Sequence, residues 1–205
     1  MVSELKKIGI FGGTFNPFHL GHEAIVREAL NPKFGLEQII VSPCAASPHK
    51  LNRTSELMPD NLRVQLIEIA LKDLDKEKVV ISRWEIDSPP PSFTIKKLEW
   101  FKKNYPNKRA TLIMGYDQFA TLPTWFEYDK WKNDVDYLVF MRGKEQTPKQ
   151  SAANIKFADL NNKEVSSTII RNLGVKNSKH LLNKDVYNYL MEIKNKEAER
   201  ENKNR

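Results

Sequence analysis

Residues 7–22 read KIGIFGGTFNPFHLGH, and this stretch decides the fold. The apolar residues 8–11 predict a buried strand, and the pattern that begins near Gly21 predicts a helix. Between them, Gly12 and Gly13 can adopt φ > 0 and let a ligand approach the backbone closely. A glycine-rich turn between a strand and a helix favours phosphate binding, because the helix offers unpaired amides and the positive end of its dipole.

Two histidines stand at the start of this predicted helix. His19 and His22 are three residues apart, so their side chains project from the same side of the helix entrance. Imidazoles can donate hydrogen bonds to phosphate oxygens and bind negative charge as it develops. The pair therefore indicates phosphate transfer as well as binding. A zinc site is not predicted, because this spacing lacks a third ligand.

Strands and helices alternate along the rest of the chain. Continuous apolar strands between helices predict a parallel sheet that is covered on both faces. We expect an α/β fold, a Rossmann-like doubly wound parallel sheet of five to six strands, with its ligand beyond the carboxyl ends of the strands. The predicted strands are 8–11, 38–41, 78–82, 110–114, 136–141 and a short 155–158, and the predicted helices are 23–30, 61–74, 93–104, 166–173 and 183–194.

The 205 residues are sufficient for one domain with a buried core. We predict a single domain over residues 1–195 and a polar tail over residues 196–205 that frays. Asp60 or Asn61 is predicted to cap the helix over 61–74. Cys44 is the single cysteine, so an internal disulfide is excluded, which fits a reducing cytoplasm.

Charge and hydropathy limit the classes of partner. The net charge is +7 and the isoelectric point is near 9.3, which suits either a nucleic-acid binder or an enzyme with anionic substrates. The sequence has no RRM, KH or zinc-finger spacing, so no nucleic-acid partner is predicted. No apolar run is long enough to cross a bilayer and no signal peptide is apparent, so we expect no membrane partner and a cytoplasmic protein.

The segment from Gly12 to His22 resembles the signature of the nucleotidylyltransferase superfamily, a GT/S-F followed by H-x-G-H. Its longer form, GGTFNPxHxGH, is similar to that of bacterial nicotinate-nucleotide adenylyltransferases. In the place of that family's Y-T-x-D-T-L, residues 93–98 read FTIKKL, so that Lys96 replaces an aspartate. Three further segments agree in order: SPHK at 47–50 resembles P-P-H-K, GYD at 115–117 with LPTW at 122–125 resembles G-x-D…L-x-x-W, and VSSTIIR at 165–171 resembles I-S-S-T-x-I-R.

The resemblance implies adenylyl transfer from ATP to nicotinate mononucleotide, which gives the deamido dinucleotide and pyrophosphate in NAD biosynthesis. It implies His19 and His22 as catalytic residues. Mg²⁺ would arrive with ATP, since this ion keeps waters and needs few protein ligands. A homo-oligomer is compatible with the sequence. The implied ATP and phosphate contacts are Gly12, Gly13, Thr14, Phe15, Lys50, Gly115, Asp117, Ser167, Thr168 and Arg171, and the implied nicotinate mononucleotide contacts are Thr94 and Trp125.

Two alternatives stay open at this point. The first is an adenylyltransferase of the same superfamily that acts on nicotinamide mononucleotide, phosphopantetheine or glycerol phosphate. The second is a non-catalytic module that binds nucleotide or RNA with the same fold. Turnover of the paired mononucleotides distinguishes the first alternative, and the second predicts no release of pyrophosphate.

Overall fold

The computed structural model describes residues 5–45, 57–142, 153–160 and 165–203. Six strands form one sheet in the order β3-β2-β1-β4-β5-β6, and all neighbouring strands are parallel. The strand order reverses between β1 and β4, which opens a crevice at their carboxyl ends. The predicted fold class is confirmed. The strands are β1 (Lys6–Gly13), β2 (Leu36–Pro43), β3 (Val79–Ile81), β4 (Lys108–Gly115), β5 (Asp136–Arg142) and β6 (Ile155–Leu160).

Eight α-helices accompany the sheet in the described parts of the chain. Three of them contain only four residues, and the sequence did not predict them because one turn is too short to show a helical period. Single 3₁₀ turns occupy Pro32–Phe34, Leu122–Thr124, Val175–Asn177 and Lys179–Leu181. The α-helices are α1 (Leu20–Ala29), α2 (Asp60–Ala70), α3 (Trp84–Asp87), α4 (Thr94–Asn104), α5 (Tyr116–Phe119), α6 (Tyr128–Trp131), α7 (Ser167–Leu173) and α8 (Lys184–Lys203).

The strands are buried on both faces of the sheet. Phe11 belongs to a core cluster that includes Ile25 of α1 and Leu66 of α2. The neighbouring Ile10 belongs to a second cluster, with Leu98 of α4. Successive side chains of a strand point to opposite faces, so each strand must be apolar at consecutive positions. This explains why the strands appear in the sequence as unbroken apolar runs.

Two predictions about helix ends are wrong. The last helix does not stop at residue 194, because α8 continues to Lys203. Its exposed extension is rich in good helix formers and carries an i,i+4 ion pair between Glu192 and Lys196. Neither Asp60 nor Asn61 caps α2, which begins after Pro59 without a side-chain cap. No helix in the described ranges is long and apolar enough to cross a membrane.

Candidate active site

A cavity of about 640 Å³ lies at the carboxyl ends of β1 and β4. Its volume is typical of small-molecule sites. It brings together every predicted site residue that the structure describes, and Lys50 lies outside the described residues together with the rest of segment 47–50. The predicted residues that line it are Gly12, Gly13, Thr14, Phe15, His19, His22, Thr94, Gly115, Asp117, Trp125, Ser167, Thr168 and Arg171.

The two histidines form a reciprocal cap at the start of α1. The His22 backbone N–H donates to Nδ1 of His19 at 3.3 Å, and the His19 backbone N–H donates to Nδ1 of His22 at 3.3 Å. Their rings stack with centroids 3.6 Å apart and planes 17° apart. Because Nδ1 accepts a hydrogen bond in both rings, the neutral tautomer carries its proton on Nε2. The cap thus selects the nitrogen that can donate to a ligand.

Close packing fixes the orientation of this pair. A Cβ on Gly21 would lie 2.7 Å from Cγ1 of Val165 and 3.2 Å from the His19 ring, so a larger residue here would press on both. The His22 ring meets the edge of Phe15 with centroids 5.0 Å apart. Phe15 as a whole residue is only 2% exposed, and its backbone adopts φ of 50°. Its ring therefore supports His22 from within the core.

Gly12 and Gly13 lie close to other side chains and do not adopt an unusual backbone angle. Neither is among the glycines with positive φ, contrary to the expectation from sequence. A Cβ on Gly12 would lie 2.6 Å from Nζ of Lys97, and one on Gly13 would lie 2.7 Å from the Phe15 ring. Other side chains thus surround the turn closely. Because the two glycines have no side chains of their own, the backbone of the turn stays open to the cavity.

A buried arginine holds the backbone of this turn. The Arg63 guanidinium is fully buried and donates through NH1 to the Thr14 carbonyl at 2.6 Å. Thr14 Oγ1 lies 3.7 Å from Sγ of Cys44, and burial raises the pKa of that thiol, which keeps it protonated. Arg63 was not predicted. It lies on the apolar face of its helix with Leu66 and Ile67, and a charge on such a face was the available signal.

Helix α7 is joined to the turn before α1. Ser166 caps α7 by accepting the Ile169 N–H at 3.2 Å, and Ser167 Oγ donates to the Pro17 carbonyl at 3.0 Å. Arg171 donates through NH1 to the Asn16 carbonyl at 2.9 Å and through NH2 to Thr168 Oγ1 at 3.1 Å. The hydroxyls that the sequence predicted as an anion site therefore already bond within the protein, and they also tie together the two sides of the cavity.

The opposite wall begins where β4 ends at Gly115. A Cβ there would lie 2.6 Å from Oδ1 of Asp117, so the carboxylate folds back over the glycine. Trp125 is half-buried and donates through Nε1 to Thr121 Oγ1 at 3.2 Å, which fixes its indole. Thr94 opens α4 in the same wall. A carboxylate and an aromatic face are suited to a ribose diol and a flat ring, respectively.

A buried ion pair in this cavity was missed by sequence analysis. Nζ of Lys97 lies 2.9 Å from Oε1 of Glu85, and both residues line the cavity. The Ser42 hydroxyl donates to the same Glu85 oxygen at 2.6 Å. Lys97 lies on the buried face of α4 together with Leu98, so the helical period could have indicated that it is buried. Glu85 lies in the four-residue α3, which gave no signal.

Among the residues that the structure describes, no three His, Cys, Asp or Glu side chains form a group that could hold a metal ion. A protein-bound metal centre is therefore not part of the described site geometry.

Comparison with known proteins agrees with this architecture. Residues 10–173 match the cytidylyltransferase-like family. The nicotinate-nucleotide adenylyltransferase of Bacillus subtilis (strain 168) is 34% identical over 168 residues, which cover 82% of this chain and 85% of that protein.

Solved structures share the fold. Plasmodium falciparum nicotinic acid mononucleotide adenylyltransferase complexed with NaAD is similar with a TM-score of 0.78 at 18% identity, covering 92% of this chain and 96% of that one. Its complex with APC gives a TM-score of 0.77, also at 18% identity and with the same coverage. The extent of the sequence matches shows that the chain belongs to the cytidylyltransferase-like family and, within it, to the nicotinate-nucleotide adenylyltransferases.

Proposed function

We propose that this protein transfers the adenylyl group of ATP to nicotinate mononucleotide, which yields the deamido dinucleotide and pyrophosphate in NAD biosynthesis. The observation that carries the proposal is the capped pair of His19 and His22, whose neutral tautomers bear Nε2 protons in the cavity wall. The B. subtilis relative bears the name of this activity, which supports the choice of substrate.

The chemistry needs little from the protein beyond positioning and charge. An oxygen of the mononucleotide 5′-phosphate forms a bond to the α-phosphorus of ATP. The bond from that phosphorus to the bridging oxygen breaks, and its electron pair leaves with pyrophosphate. A phosphate monoester is already an anion at neutral pH, so no general base is needed. Catalysis then consists of alignment and stabilisation of the charge on the phosphoryl oxygens.

The phosphate end of the cavity is assigned to ATP. Nε2 of His19 and Nε2 of His22 donate to the α-phosphoryl oxygens, and the backbone of the glycine turn and Thr14 surrounds them. Arg171 supplies positive charge for the outer phosphates, with Ser167 and Thr168 beside it. Mg²⁺ carried by the triphosphate would supply further neutralisation, since this ion needs few protein ligands. Lys50, which lies outside the described residues, is added to this assignment as a point charge for the phosphates.

The opposite wall is assigned to the ribose of ATP and to the pyridine ring of the mononucleotide. The Asp117 carboxylate accepts two hydroxyl hydrogen bonds from the ribose diol of ATP. Trp125 offers its indole face to the pyridine ring. The backbone at Thr94 faces the ring carboxylate. In this assignment the mononucleotide phosphate points toward the histidine pair, where attack on ATP takes place.

Pyrophosphate release from ATP with each mononucleotide tests the proposal. We expect turnover with nicotinate mononucleotide, and we expect His22→Ala to lower kcat about 100- to 1000-fold, since one stabilising donor is removed. His180→Ala is the matched control because His180 is exposed and lies outside the cavity lining. Circular dichroism checks that both variants fold. Preference for the amide substrate or for phosphopantetheine would contradict the nicotinate assignment, and no pyrophosphate release with any acceptor would contradict catalysis.

A further inference from the structure

The Lys97 ammonium is held from one side by a more deeply buried carboxylate. The Lys97 side chain is 11% exposed and the Glu85 side chain 2%, and their charged atoms lie 2.9 Å apart. An ammonium has three N–H donors. Within the described parts of the chain, Glu85 is the one acceptor recorded for Lys97, so the pair does not use the full donor capacity of the cation. Ser42 donates to Glu85 and helps to hold the carboxylate in place.

The position of this cation is set by two neighbours. Nζ lies 2.6 Å from the point that a Cβ on Gly12 would occupy, so it sits against the glycine turn. Lys97 also follows Thr94 by three residues on α4, and residues at this spacing share a helix face. The ammonium therefore lies against the glycine turn, and Gly12, Thr94, Lys97 and Trp125 all line the same cavity.

An ion pair with a purely structural role would gain nothing from lining a cavity. Burying two charges costs desolvation free energy that their attraction only partly offsets, and apolar residues of similar size often stabilise a core as well or better. A cation that lines a cavity for anionic substrates gains a second partner when an oxyanion binds. The low exposure of the site strengthens that attraction, because less water screens it.

We propose that the Lys97 ammonium binds an oxyanion of the mononucleotide, either its phosphate or the carboxylate of its pyridine ring. Glu85 is then a positioning residue that keeps the ammonium against Gly12. The proposal rests on the function proposed above, because it assumes that the mononucleotide occupies this cavity. It adds a substrate-binding cation to the residues that the sequence motifs indicate.

The test is the double variant Glu85→Gln/Lys97→Met, which removes both charges and leaves no carboxylate without a partner. KM and kcat are measured with nicotinate mononucleotide and with nicotinamide mononucleotide at saturating ATP, and the melting temperature is recorded. Lys103→Met is the matched control, since it removes one positive charge from the exposed side of the same helix. We expect the double variant to raise KM for nicotinate mononucleotide about 10-fold or more, the effect of one charge-assisted hydrogen bond.

The two mononucleotides share the phosphate and differ at the ring. A rise in KM for both assigns the phosphate to Lys97, and a rise for the acid alone assigns the carboxylate. Either result supports the proposal, whereas KM values within twofold of wild type for both would overturn it. Wild-type protein that turns over neither mononucleotide would contradict the proposed function instead. In that case, the Kd of nicotinate mononucleotide is measured by calorimetry for wild type and for the double variant. An equal Kd in the two proteins, or no binding to wild type, would overturn the role of Lys97.

Discussion

His19 combines a structural and a proposed chemical role in one ring. Its Nδ1 accepts the His22 N–H and caps α1, while its Nε2 is the proposed donor to phosphate. Asparagine is a strong N-cap residue, but its shorter side chain cannot place a donor where Nε2 of histidine lies. We expect His19→Asn to keep the free energy of unfolding within about 0.5 kcal/mol of wild type and to lower kcat about 100-fold. His19→Ala should lower kcat in the same way and should also lower the free energy of unfolding by about 1 kcal/mol. Urea unfolding and pyrophosphate release measure the two effects, and a parallel loss of both in His19→Asn would contradict their separation.

Arg63 supports the phosphate turn from within the core. Its guanidinium donates to the Thr14 carbonyl and to Asp60, and its side chain is fully buried. Arg63→Met leaves the carbonyl without its donor, so we expect a loss of about 3 kcal/mol in the free energy of unfolding. We also expect a higher KM for ATP, because the turn is less well held. The control is Arg83→Met, which removes an exposed ion pair with Asp87 and should cost less than about 1 kcal/mol. Equal losses in the two variants would contradict this role.

The chemistry of the site was predictable only where a motif carried it. His19 and the residues around it follow a dense, ordered pattern, so sequence alone placed them together. Arg63 and Lys97 are single charges on otherwise apolar helix faces, and Glu85 becomes significant only when α3 folds against the end of β2. Such residues acquire their meaning from tertiary contacts, which the local sequence does not specify.

At the level of elements, α7 depends on one capping residue. Ser166 accepts the Ile169 N–H, and the helix that follows carries Ser167, Thr168 and Arg171 into the cavity wall. Ser166→Ala should lower the free energy of unfolding by about 1 kcal/mol and raise KM for ATP, because the start of the helix loses its acceptor. Ser166→Asn should restore both quantities toward wild type, since asparagine also caps helices. Chemical unfolding and steady-state kinetics test this, and an asparagine variant no better than alanine would contradict the capping argument.

The predictability of the elements follows their length and burial. All six strands were predicted, because a strand covered on both faces leaves an unbroken apolar run. Most of them are longer in the structure than predicted, as for β4, where Lys108 and Arg109 extend the strand with polar side chains. The exception is β3, which spans Val79–Ile81 and is shorter than the predicted 78–82. The helices α3, α5 and α6 contain four residues each, and no period could indicate them. The end of α8 was missed because its exposed turns have no apolar face.

At the level of the whole molecule, the two ends of the sheet have different tasks. The carboxyl ends of β1 and β4 border the cavity, and the amino ends carry a cluster of charges. Lys7 lies 2.8 Å from Asp136, and Nε of Arg109 lies 2.7 Å from the same carboxylate. The three residues lie at the amino ends of β1, β4 and β5, respectively Lys7, Arg109 and Asp136. Their ion pairs therefore join three neighbouring strands. This end of β5 is about 20 Å from its other end at 3.3 Å per residue.

Asp136 therefore provides a test that separates stability from activity. Burial raises the pKa of this carboxyl, but hydrogen bonds from Lys7 and Arg109 outweigh the effect and lower the pKa below its ordinary value of 3.8. The stabilisation is complete above that ordinary value and is lost as the pH falls through the lowered one. Asp136→Asn should cost about 2 kcal/mol at pH 7. The difference from wild type should begin to shrink below about pH 4 and disappear once the pH is under the lowered pKa, where both side chains are neutral.

Urea unfolding between pH 2.5 and pH 7 measures this difference, and kcat/KM at pH 7 should stay within twofold of wild type because the cavity lies at the far end of the sheet. Asp134→Asn is the matched control, since Asp134 forms an exposed pair with Lys102 at 2.8 Å. That variant should differ from wild type by less than about 1 kcal/mol at every pH. A loss in Asp136→Asn that stayed constant down to pH 2.5 would show that packing, and not the charge of Asp136, holds the three strands together at this end.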